Sequence, residues 1–322
     1  MLRMLPEILA NATDLAAWAE RLDARRDLPR ILLRLIYASG VPIEQIEFLV
    51  ERLITVDVGL FAAEDRTAVW DALRETISRH REFPDAKWAM LKEAVDRLQQ
   101  AYERFAPDDL ISLRSGFFSI TPKLLSSPGR DWRARHESLE RERTEAVREL
   151  HDGGGLPLLL DFAAAVERPE EVGFTAGRHG MLEDEEGDIV WRVLASESGP
   201  AKAFARGFVT GRFSSLGWDW VEARLEGGAA SAWTPEQRAD FLASLSFEAR
   251  TWDLLEPMDD ETKCLYWSRA PTFGLPSRED SERAALKLIE YGRPHVAIDF
   301  IALYTEEEGL SLIHISEPTR PY

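Results

Sequence analysis

The sequence predicts an all-α fold, an irregular α-solenoid of stacked helical hairpins, with a compact helical bundle as the alternative. Three observations carry this. Apolar residues recur at spacings of three and four through most of the chain, the period of a single helix face. Strand signals are scarce: alternating apolar and polar residues are few, and no Asn-Gly hairpin turn occurs. A glycine stop followed by a proline restart recurs between apolar runs, as in Leu33–Pro42 and Leu286–Pro294, and in shorter form at Glu167–Val172. Glycine permits the left-handed cap at a helix end and proline suits a first helical turn, so tight turns join neighbouring helices.

Taken in order, residues 66–79 place Val69, Trp70, Leu73 and Ile77 on one face, and Arg79, His80 and Arg81 fall at the negative pole of that helix. Pro84, with Asp85 beside it, suits the first turn of the next helix, whose stripe is Trp88, Leu91, Val95, Leu98, Tyr102 and Phe105. Pro107 ends it, and Asp108 is placed to cap a short helix beyond. Ser115–Arg130 is rich in glycine, proline and serine, and Phe117, Phe118, Leu124 and Leu125 predict that it packs down. The expected organisation is a helical subdomain over 1–115, a packed connecting loop over 116–130, and a helical-hairpin array over 131–309.

Trp132–His151 reads as a highly charged helix with a thin stripe of Leu139, Ala146, Val147 and Leu150. Gly153–Gly155 stop it, and a helix over Leu156–Val166 follows. Thr55–Gly59 and Asp188–Leu194 are the only strand-like runs, and the second reads equally well as a short helix after the acidic loop Glu183–Asp188. Helix pairs follow at Thr234–Leu245 with Ala249–Leu255, and at Asp260–Arg269 with Ser281–Tyr291, with consecutive helices expected antiparallel.

Composition bounds the function. Ten tryptophans in 322 residues imply a substantial core. A net charge of −18 opposes a broad nucleic-acid footprint. The basic clusters Arg25, Arg26, Arg30 and Arg141, Arg143, Arg148 read as solvated helix faces. The single cysteine, Cys264, can form neither an intrachain disulfide nor a zinc set; it fits a reducing cytoplasm and is expected to be a buried structural thiol. No apolar run reaches transmembrane length, and the first residues lack a signal-peptide core, so a cytoplasmic location is expected.

No constellation specifies chemistry. His136 and Glu137 resemble the start of a zincin helix, but Glu140 stands where the second histidine is needed. His295 and Asp299 sit four apart on one helix face. Gly153–Gly155 lacks the lysine and hydroxyl of a phosphate loop, no Gly-x-Ser-x-Gly elbow occurs, and the many paired carboxylates read as solvated turns. No catalytic residue, metal ligand or cofactor site is therefore expected, and His80, His136, His295 and Asp299 remain the polar candidates. Trp218 and Trp220, two apart, cannot share one helix face, which makes them the candidate interaction anchors.

Two resemblances add to this. Leu310–Arg320 resembles an in-frame translation of a transposase-type sequencing-library adapter. This implies that 310–322 is an artefactual tail, that natural sequence continues past Gly309, and that Met1 is an internal start. The hairpin pattern is similar in architecture to HEAT- and tetratricopeptide-like arrays, the helical arms of large bacterial multidomain proteins, although it has neither a fixed period nor the tetratricopeptide consensus. The resemblance implies a non-catalytic scaffold that binds a protein partner, or another domain of its own chain, through a concave face, with no nucleic acid and no membrane. The alternative it implies is the scaffold arm of an ATPase- or nuclease-type, defence-like enzyme whose catalytic domain lies outside this sequence.

Overall fold

The computed structural model describes residues 58–302 apart from 61, 88, 126–130, 195, 197–198, 227–232 and 273–277. The Arg25, Arg26, Arg30 cluster, the Leu33–Pro42 turn, Trp88 and the 310–322 tail lie outside the described residues. Among the described residues every regular element is helical and no strand occurs. The chain forms two compact units, Met1–Gly153 with Ala165–Arg168, and Gly154–Ala164 with Pro169–Tyr322.

In the first unit, α1 (Ala63–Glu82) and α2 (Lys92–Arg104) run antiparallel, matched by Arg81 to Asp96 at one end and Arg66 to Asp108 at the other. Val69, Trp70, Leu73 and Ile77 are all buried on α1, and Trp70 stacks on Tyr102 with ring centroids 5.0 Å apart. The start of α2 differs from expectation. Pro84–Lys87 form a turn rather than a first helical turn, and Leu91 stands at the N-cap, 63% exposed, with Met90 buried in its place. The cause is a bond back to α1: the Met90 N–H donates to His80 Nδ1 at 3.0 Å, which holds the chain extended there. α3 (Leu110–Ser115) is capped by Asp109, not Asp108, through the Ser112 N–H at 2.7 Å. Phe118 and Leu124 in the following stretch are buried. Arg143 corrects the reading of its cluster as solvated: it is buried and donates to the Phe117 carbonyl at 3.0 Å, while Arg141 and Arg148 are exposed.

The long helix α4 (Trp132–Ala165) passes from the first unit to the second, broken at Gly155, whose φ of 62° only glycine adopts readily. The second unit continues with α5 (Pro169–Arg178), the short α6 (Glu186–Asp188) running into a π-turn at Ile189–Val193, α7 (Pro200–Glu226), α8 (Pro235–Leu242), α9 (Ala249–Leu255), α10 (Asp260–Arg269), α11 (Arg278–Glu290) and α12 (Pro294–Ala302). Proline opens α5, α7, α8 and α12, where its missing N–H is no loss. Thr234 and Gln237 form a capping box on α8. A second break, at Gly217 (φ 69°), divides α7.

The tightest packing in this unit joins alternate helices. A Cβ at Gly173 would lie 1.8 Å from the Phe204 carbonyl oxygen, one at Gly177 2.3 Å from that of Phe208, one at Gly207 1.9 Å from that of Glu170, and one at Gly211 2.3 Å from that of Phe174. The matched positions climb together, so α5 and α7 run parallel with their backbones in contact. α8 repeats the arrangement on α7: Arg206 meets Asp240 and Thr210 meets Ser244, both across 34 positions.

Candidate functional site

The parallel helices leave a groove of about 420 Å³ in the second unit. It is lined by the start of α5, with Glu170, Glu171 and Phe174; by Arg206, Gly207 and Thr210 on α7; and by the turn Ala243–Phe247 between α8 and α9, together with Pro271. Gly207 belongs there because any side chain would strike α5. The Thr210 hydroxyl donates to the Ser244 carbonyl at 2.8 Å and ties α7 to the α8–α9 turn. Phe247 connects the groove to an aromatic core, 5.0 Å from Trp252 and 6.0 Å from Trp267 between ring centroids. Beside that core, burial pushes the Tyr266 hydroxyl well above the usual phenol range.

A charge network borders the groove. Asp240 is 1% exposed and meets Lys202 Nζ at 2.6 Å and Arg206 Nη2 at 2.5 Å. Glu236 takes Arg269 at 2.8 Å and lies 3.7 Å from Lys202. The Glu236 hydrogen bond raises the Arg269 guanidinium further above its ordinary value. A buried carboxylate held by two cations is a device for fixing α8 on α7, since removing one partner would strand a charge in a dry site.

The candidates named from sequence are scattered. Trp220 is 8% exposed, donates to Glu186 Oε1 at 2.8 Å and packs on Phe241. Trp218 is half-buried, with Arg250 over its ring at 4.8 Å and Phe213 edge-on at 4.9 Å. His80 is an acceptor inside the first unit, and burial together with Arg79 lowers its pKa. His136, His295 and Asp299 are exposed. No group of three or more His, Cys, Asp or Glu among the described residues is arranged to hold a metal ion. Cys264 is exposed, contrary to the expectation of a buried thiol, because α10 buries Thr262, Tyr266 and Trp267 and turns position 264 away.

Sequence reasoning passed over Arg206, Thr210, Asp240 and Ser244. Their signal was faint: Lys202 and Arg206 are four apart, as are Glu236 and Asp240, and the second pair follows the first by 34 positions. Comparison with protein-family models, curated proteins and solved structures returns no match.

Proposed function

We propose that the second unit is a helical-hairpin array of solenoid type, working as a non-catalytic scaffold that holds a protein partner in the groove between α5, α7 and the α8–α9 turn. The observation that carries this reading is the register of 34 positions. α5, the part of α7 before the Gly217 break, and α8 lie parallel, as first helices of successive hairpins do, and the groove is lined by the first two and by the turn after the third. Stacked hairpins that contact only their neighbours build extended binding faces of this kind. The groove's lining favours binding over chemistry: its ionisable groups are Glu170, Glu171 and Arg206, and Arg206 is spent on Asp240. An exposed free thiol fits work in a reducing cytoplasm. Trp218 is the better placed of the two tryptophan anchors, since Trp220 is committed to the core.

A photo-crosslinking residue at Thr210, compared with one at exposed Ala223 on α7 beyond Gly217, tests the reading in cognate lysate. The expected result is a discrete protein adduct from position 210 and none from 223. A folded chain that gives no protein adduct at 210, or the same adducts at both positions, overturns it.

A further inference from the structure

We draw no further inference here: the strongest candidate, the exposed apolar face of the α11–α12 pair with Leu286, Ile289 and Ile298, carries nothing because nothing in the structure shows what covers it.

Discussion

Glu186 shows what one residue does here. It is 2% exposed, yet its carboxylate meets Arg212 Nε at 2.8 Å, Trp220 Nε1 at 2.8 Å and the Arg224 guanidinium. Arg212 precedes the Gly217 break in α7, and Trp220 and Arg224 follow it, so a single side chain from α6 fixes the angle between the two halves. Glu186→Gln keeps the shape and removes the buried charge, leaving the buried Arg212 guanidinium with only the exposed Glu183 carboxylate at 3.2 Å. We expect a loss of about 3–5 kcal/mol in urea unfolding, and a loss below about 1 kcal/mol would show that the staple is dispensable. His80 makes a pH prediction. Its Nδ1 must stay unprotonated to accept the Met90 N–H, and burial with Arg79 lowers its pKa. The unfolded chain therefore binds the proton more readily, so this contribution is present above the unfolded value of about 6.5 and is lost as pH falls from there toward the folded value. His80→Asn keeps an acceptor in place and removes the titration. Stability of the wild type should fall more steeply than that of the variant between neutral and mildly acid pH, and parallel curves would refute the assignment.

At the scale of elements, the contact of α5 with α7 depends on four glycines. Gly207→Ala would place a Cβ 1.9 Å from the Glu170 carbonyl, and nothing but backbone stands there to give way. Overpacking of this kind costs about 1–3 kcal/mol or more. Gly187→Ala, where nothing lies within 4 Å, should change stability by no more than about 0.5 kcal/mol. Thermal melts of the two variants check the pair, and equal behaviour would mean that the helices can part without cost. How far this architecture is legible follows the same division between local and distant causes. The stripe Val69, Trp70, Leu73, Ile77 is readable because periodicity is local, and all four are buried. The start of α2 is not, because it turns on a bond from residue 90 to residue 80. Spacing also tells that Trp218 and Trp220 face apart; which one turns inward depends on Glu186, 34 positions away. The groove is hidden for the same reason. Gly173, Gly177, Gly207 and Gly211 stand at visible spacings of four and 34, but nothing local tells that the two pairs bring backbones into contact.

Across the whole molecule, charge decides what can approach. The chain carries 57 acidic against 39 basic side chains. No helix among the described residues is long and apolar enough to cross a membrane. The described basic cluster is smaller than it looks in sequence, since Arg143 is buried and only Arg141 and Arg148 face solvent. Two exposed arginines neutralise few phosphates, and affinity for duplex DNA rises with the number neutralised. A labelled duplex should therefore show no saturable binding at physiological salt, weaker than the range of about 10⁻⁴–10⁻⁶ M usual for non-specific binders. Salt gives the sharper criterion. A protein that binds through a basic patch releases counterions and tightens steeply as salt falls, whereas repulsion between this surface and phosphate grows as screening weakens. Binding that tightens in proportion to dilution of salt would mean that a cationic face dominates the approach, and it would overturn the expectation that this surface repels DNA.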